Sequence, residues 1–170
     1  MRFKVLVAAL LALQAVAVAA LEDDDYGSGR WQELETSLPG APLAENLQEF
    51  VVSATTTNRF FVDLASLSAG DDGVVRYVLV IDSASGVRNV SFEGMRCETR
   101  ERKVYALGRS DGSWAPSRNK AWSKILDAVT NRHYASLYLN FFCPMGGVVK
   151  SADEARDALR KGVHPMMKFF

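Results

Sequence analysis

Two cysteines and a histidine between them are the residues of this 170-residue chain whose types would allow nucleophilic catalysis. A thiolate of Cys97 or Cys143, activated by His133, would give a Cys/His hydrolase acting on cell-wall peptides. The local signatures of such hydrolases are missing around both cysteines. The competing prediction is a disulfide, which would remove the nucleophile, so the compartment of the protein bears on the choice.

A group of charged residues in an otherwise apolar region is the second candidate site. Arg76 lies within the apolar run 74–82, where a buried guanidinium must find a carboxylate or carbonyl groups to offset its desolvation. Asp63 and Glu93, on predicted neighbouring strands, are the expected partners. A structural ion pair is the first interpretation, and an anion-binding arginine facing a groove, joined by Arg96, is the alternative.

Three carboxylates of the same region, Asp63, Asp82 and Glu93, are also candidates for a general acid and base in hydrolysis. The sequence does not give the separation that such a pair needs. We therefore assign no catalytic residue.

The sequence offers no spacing that is typical of a metal site. Its two histidines, His133 and His164, do not form an HExxH pattern. Asp71 and Asp72 precede Gly73, but the spaced oxygen ligands of an EF-hand calcium loop are missing, so a solvated β-turn is predicted there. We expect no metal and no cofactor.

The first residues have the pattern of an export signal. Arg2 and Lys4 precede an uncharged run that ends in small residues, which predicts a cleavable signal peptide over residues 1–20 and a periplasmic location. The run is shorter than the roughly 20 residues of a membrane-spanning helix, so no transmembrane segment is expected after cleavage. Loss of Arg2 and Lys4 leaves 18 of the 20 basic residues against 20 acidic ones, which disfavours nucleic acid as a partner.

Export changes the expectation for the cysteines. Paired cysteines of exported proteins usually form disulfides. Closing the loop between Cys97 and Cys143 would stabilise the fold by about 4 kcal/mol in the chain-entropy model.

The mature chain has the pattern of a single α+β domain. Residues 21–49 are expected to form an acidic and Pro/Gly-rich arm, residues 50–165 the domain, and residues 166–170 a C-terminal tail. Short β-patterned segments joined by brief turns predict an antiparallel meander of about five strands. The segments are "FVVSATTT", "RFFVDLASL", "VVRYVLVID", "VRNVSFEGMRC" and "KVYALG". The third is apolar on both faces, which predicts a central strand that is covered on both sides.

Two or three helices are expected in the second half. Trp122, Ile125, Leu126 and Val129 fall at i, i+3, i+4 and i+7, which predicts one helix. The capping-box spacing from Ser151 to Glu154 predicts another, ending near Gly162. Between them, "HYASLYLNFFCP" suits a helix or a strand.

Several blocks together resemble the CNP-one-like family of exported bacterial proteins, a domain of unknown function. The most specific are "DGVVRY", "NVSFEGMRC" and "FFCP", and the likeness runs from about Trp31 to Gly162. The resemblance implies an envelope location and the pairing of Cys97 with Cys143. It implies no catalytic residue.

The sequence therefore predicts a non-enzymatic periplasmic binding or structural module of the cell envelope. Its expected partner is another envelope protein or a cell-wall component. The alternative is a small cell-envelope hydrolase that uses carboxylates or a Cys/His pair.

Overall fold

A computed structural model describes residues 31–169 of the chain. The predicted signal peptide, residues 1–20, and the acidic start of the predicted arm lie outside the described residues. Within the described part the chain forms seven strands and two α-helices. They are β1 (Leu47–Phe50), β2 (Arg59–Ala69), β3 (Val74–Asp82), β4 (Arg88–Arg96), β5 (Glu101–Gly108), β6 (Trp114–Pro116), β7 (Ser123–Lys124), α1 (Arg132–Leu137) and α2 (Ala152–Arg160).

The sheet is an antiparallel meander, as the sequence predicts. β1 to β6 follow one another across the sheet in chain order, and β7 pairs with β5 beside β6. The α+β prediction is confirmed, with two short strands more than the five expected.

Glycine shapes the sharp turn between β2 and β3. The Gly73 N–H donates to the Gly70 carbonyl at 3.0 Å, and Gly73 has a φ of +72°, which residues with a Cβ rarely adopt. The turn reverses the chain direction, so β3 runs antiparallel to β2. Asp72, between the two glycines, therefore lies close to the first residues of β3.

β3 is central and covered on both sides, as its two apolar faces predict. Val75, Tyr77 and Leu79 belong to a large core cluster with the helical segments, and we call this side of the sheet the helix face. Val78 and Val80 belong to a smaller cluster on the opposite side. The arm that precedes β1 covers part of that side, which we call the arm face.

The helix predicted over the stripe from Trp122 to Val129 is wrong. This stretch contains β7 and irregular chain, and the Ile125 N–H donates to the Arg100 carbonyl at 2.9 Å. Pairing with the end of β5 holds the chain extended along the sheet. Leu126 and Val129 are consequently exposed, so the helical spacing does not correspond to a buried stripe.

The ambiguous segment that follows is helical. α1 continues as a π-helical turn over Tyr138–Phe142. Leu137, Phe141 and Phe142 are buried against the helix face of the sheet, and they provide the packing that was expected from the preceding stretch.

The strand expected from "FVVSATTT" is also wrong, because β1 ends at Phe50 and residues 51–58 form a loop. The Ser53 hydroxyl accepts from the Thr55 N–H at 3.3 Å, and the Thr56 hydroxyl accepts from the Asn58 N–H at 3.3 Å. These side chains satisfy the loop's own backbone, which competes with strand pairing. We call residues 51–58 the threonine loop.

α2 has the predicted capping. The Ser151 hydroxyl accepts from the Glu154 N–H at 3.2 Å, and Gly162 has a φ of +78° just beyond the helix. Arg156 donates to the carbonyls of Leu64 and Leu67, so α2 is tied to the irregular part of β2. Within residues 31–169, no helix has the length and apolar character needed to cross a membrane.

Candidate functional site

Arg76 forms a buried ion pair with Asp72, rather than with Asp63 or Glu93, the partners expected from the sequence. Its Nη1 and Nη2 donate to Oδ1 and Oδ2 of Asp72 at 3.1 and 2.6 Å. Nη2 also donates to the Leu34 carbonyl at 3.1 Å. The guanidinium is therefore bound to one carboxylate and one backbone carbonyl.

The β2–β3 turn explains this choice of partner. It forms where the sequence predicts a turn, but the Asp72 side chain is only 1% exposed, so the expected solvated carboxylate is instead buried. Burial opposes ionisation of Asp72. Hydrogen bonds from Arg76 and from the N–H groups of Leu34 and Val74 outweigh that penalty and lower its pKa below the usual value.

Glu93 lies on the opposite side of the sheet from Arg76. It pairs with Tyr77 in the β3–β4 ladder, whereas Arg76 pairs with Gly94, and facing residues of adjacent strands share a side of the sheet. The hydroxyls of Ser91 and Tyr134 donate to Glu93 Oε1 at 2.6 and 3.2 Å.

Burial has the largest effect on the pKa of Glu93. It raises the pKa of this carboxyl against the opposing hydrogen bond from Ser91 and the charge of Arg102. Glu93 Oε2 has no hydrogen-bond partner among the described residues. The protein environment therefore favours the neutral form of Glu93 more than water does.

The other carboxylates of the predicted group have local roles. Asp63 accepts from the Ala65 N–H at 3.2 Å, at an irregularity in the β2–β3 register. Asp82 accepts two hydrogen bonds from Arg88 at 2.7 Å each. Asp63 faces Val78 and so lies on the arm face, whereas Glu93 lies on the helix face. The sheet therefore separates Glu93 from Asp63, and Asp82, which shares the arm face with Asp63, is bound by Arg88.

Arg96, the fourth member of the predicted group, ends β4. It donates to Glu98 at 2.5 Å, and Glu98 is largely exposed. Arg96 faces Val74 and therefore lies on the arm face with Arg76.

Cys97 and Cys143 form a disulfide, as expected, and it links the end of β4 to the end of the π-helical turn. The sulfur atoms are thus bonded to each other, and neither is a thiolate. His133 lies at the start of α1, and its ring stacks on Phe60 with 5.1 Å between the ring centres. Burial, and to a lesser degree the charge of Arg102, lower the pKa of His133 to about 4.

The second histidine is part of the helix packing. His164 Nε2 lies 3.0 Å from Glu154 Oε1, next to the start of α2. Residues 31–169 contain no group of three His, Cys, Asp or Glu side chains that could hold a metal ion.

The arm contributes contacts that the sequence reasoning missed. Glu33 Oε2 accepts from Lys103 Nζ at 2.7 Å and from Trp122 Nε1 at 3.2 Å, and the Pro39 carbonyl accepts from Trp114 Nε1 at 2.7 Å. With the Leu34 bonds to the Arg76 pair, they fix the arm across β3, β5 and β6. No sequence signal marks these arm contacts; the Asp72–Arg76 spacing, with the aspartate next to a turn glycine, could have indicated only the ion pair.

A groove of about 460 Å³ opens on the arm face beside the β5–β6 hairpin. Its apolar lining comes from Pro42, Val80, Val90 and Trp114, and its charged lining from Arg88 and Arg109. A Cβ added at Gly108 would lie 2.8 Å from the Val90 side chain, so the glycine permits the close approach of β4 and β5 that shapes the groove.

Arg109 is the arginine of this groove that forms no ion pair among the described residues, although its charge, after hydrogen bonds from Ser113, helps to lower the pKa of the nearby Asp111. It donates to the Ser113 hydroxyl and the Trp114 carbonyl, both at 3.3 Å, and among residues 31–169 it makes no ion pair with a carboxylate. Arg88, by contrast, is bound by Asp82. The groove therefore combines apolar surface with one arginine, Arg109, that no carboxylate of the described residues binds directly.

Comparison with known proteins identifies a family. A model of the CNP1-like family matches residues 27–160 of the chain. No curated protein and no solved structure matches the chain.

Proposed function

The chain belongs to the CNP1-like family, and we propose that it is an exported, non-catalytic binding module of the bacterial cell envelope. The predicted signal peptide supports export to the periplasm. A disulfide between Cys97 and Cys143 suits that oxidising compartment. The groove on the arm face supports a binding role.

The main support for the proposal is that the Arg109 guanidinium, which no carboxylate of residues 31–169 binds directly, lies beside an apolar lining. The groove volume of about 460 Å³ is in the range of small-molecule sites. Trp114 supplies ring surface only, since its N–H is bound by the Pro39 carbonyl. The matching ligand has one anionic group for the guanidinium and an apolar part for Val80 and Val90.

The positions of the reactive groups favour binding over the alternative of a hydrolase. Cys97 and Cys143 are bonded to each other, so His133 has no thiol to activate. Asp63 and Glu93 lie on opposite sides of the sheet, and Asp82 is held by two hydrogen bonds from Arg88. Hydrolysis by two carboxylates requires both to face one substrate.

Calorimetric titration of the mature protein with octanoate and with octan-1-ol tests the groove. We expect octanoate to bind with 1:1 stoichiometry and more tightly than the alcohol, because only the acid carries a charge for Arg109. Arg109→Gln should weaken octanoate binding by about tenfold and leave the alcohol unaffected. Arg160→Gln, a change at an exposed arginine of α2, is the matched control.

Equal affinity of both probes, or an unchanged octanoate affinity of Arg109→Gln, would refute the groove as an anion site. Export is tested separately by mass spectrometry of the chain released by osmotic shock. The expected first residue is Ala20 or Leu21. A periplasmic chain that keeps residues 1–20, or a chain found only in the cytoplasm, contradicts the proposal.

A further inference from the structure

A second concavity lies on the other side of the sheet from the groove. It has a volume of about 360 Å³ and is bounded by the threonine loop and by the start of α1. Phe60, a member of the helix-face core, contributes to its lining, together with His133 and Arg132. We call it the loop concavity.

Several polar groups of the loop concavity are not used by the protein itself. His133 Nε2 is buried without a hydrogen-bond partner among the described residues, and the whole residue is only 6% exposed. The Thr57 hydroxyl, the side-chain amide of Asn58 and the Arg132 guanidinium also form no hydrogen bond or ion pair within residues 31–169. The hydroxyls of Ser53 and Thr56, by contrast, bind the loop backbone.

His133 is held in a fixed orientation. Its ring is nearly parallel to the Phe60 ring, at an angle of 20°, and lies 4.0 Å from the Tyr134 ring centre. A buried polar atom without a partner is costly, and a ligand hydroxyl would supply that partner. The pKa of about 4 keeps the imidazole neutral near pH 7, so it interacts with a hydroxyl rather than with an anion.

We propose that the loop concavity binds a sugar that carries a carboxylate. The hydroxyl, amide and imidazole groups of Thr57, Asn58 and His133 match the hydroxyls of a sugar ring, which both donate and accept. Arg132 is the charged side chain of the lining and matches the carboxylate, which a guanidinium can bind through two parallel hydrogen bonds.

Other ligand classes fit this lining less well. A metal ion would find one ring nitrogen and no carboxylate there. A purely apolar ligand would leave the hydroxyl and amide groups without partners. This site is separate from the groove and goes beyond the proposed function, so failure of either leaves the other intact.

The test is a ¹⁵N NMR titration of the mature protein with D-glucuronate and, separately, with D-glucose. We expect saturable shifts of the amide signals of residues 53–58 and 132–133, with glucuronate about tenfold tighter than glucose. Arg132→Gln, at an exposed position, should reduce glucuronate affinity to the level of glucose. Arg118→Gln, another exposed arginine, should bind both sugars as the unmodified protein does.

A His133→Gln variant adds a second readout, because it should weaken both sugars while preserving the preference for glucuronate. Three results would overturn the proposal. They are the lack of saturable shifts in the threonine loop, equal affinity for the two sugars, and unchanged glucuronate binding by Arg132→Gln.

Discussion

Replacing Arg76 by methionine should destabilise the protein strongly, because it leaves the Asp72 carboxylate buried without its cation. The Arg76 and Asp72 side chains are 5% and 1% exposed, and two hydrogen bonds of 3.1 and 2.6 Å join them. Breaking a buried pair by removing one partner costs about 3–5 kcal/mol. For a chain of this size that loss corresponds to a melting temperature lower by roughly 10 °C or more.

A double-mutant cycle, measured by urea denaturation at pH 7, isolates the pair. Arg76→Met and Asp72→Asn should each lower the free energy of unfolding, and the double variant should lose less than the sum of the two. We expect a coupling energy of about 2–3 kcal/mol. The Leu34 carbonyl also loses its bond to Arg76, so limited proteolysis should cut the arm faster in Arg76→Met.

The exposed pair of Arg88 and Asp82 provides the matched control. It has the same bidentate geometry, but its side chains are 55% and 26% exposed, so Arg88→Met should cost no more than about 1 kcal/mol. A loss for Arg76→Met as small as that for Arg88→Met would refute the conclusion that the charge of Arg76 is committed to Asp72.

Three further predictions concern the core. The pKa of His133 is about 4 in the folded protein and 6.5 in the unfolded chain, so the neutral imidazole contributes stability above pH 6.5. As the pH falls toward 4, the protein should lose up to about 3 kcal/mol of this stability. Urea titrations at several pH values should show a weaker acid dependence for His133→Gln. Burial raises the pKa of Glu93, so the contribution of this residue to stability declines as the pH rises above the usual value of 4.5. Glu93→Gln should therefore be at least as stable as the unmodified protein at pH 7 but gain nothing near pH 4, and a clear loss at pH 7 would contradict the raised pKa of Glu93. The Cys97–Cys143 disulfide closes a loop with a sequence separation of 46 residues, so replacing both cysteines by alanine should lower the free energy of unfolding by about 4 kcal/mol. A reductant should lower the melting temperature of the unmodified protein and leave that of the double variant unchanged.

The central strands were predictable because their signal is local. The run from Val74 to Asp82 is apolar on both faces, which requires cover on both sides, and the turn residues on either side of it fix antiparallel neighbours. The capping box of α2 was predictable for the same reason, since Ser151 and Glu154 meet within one helical turn.

The secondary structure of two segments was predicted wrongly, because their amino-acid composition does not show the hydrogen bonds that they form. The spacing from Trp122 to Val129 suits a helix, but pairing of β7 with β5 keeps this stretch extended. The threonine loop has strand-forming residues, but its hydroxyls bind its own backbone. A non-local strand pairing outweighs intrinsic preference in the first segment, and local side-chain hydrogen bonds do so in the second.

The sites depended on non-local geometry. The sequence indicated that Arg76 needs a partner, but it did not show that the turn buries Asp72 or that the Leu34 carbonyl reaches over β3. The groove joins the arm to the β5–β6 hairpin, whose residues are far apart in the chain. No periodicity in the sequence reports such an arrangement.

The most direct test of the binding role is a crystal structure of the mature protein with octanoate. We expect the carboxylate within hydrogen-bonding distance of the Arg109 guanidinium and the alkyl chain against Val80 and Val90. Octanoate bound elsewhere, or a groove closed by the protein's own side chains, would contradict it.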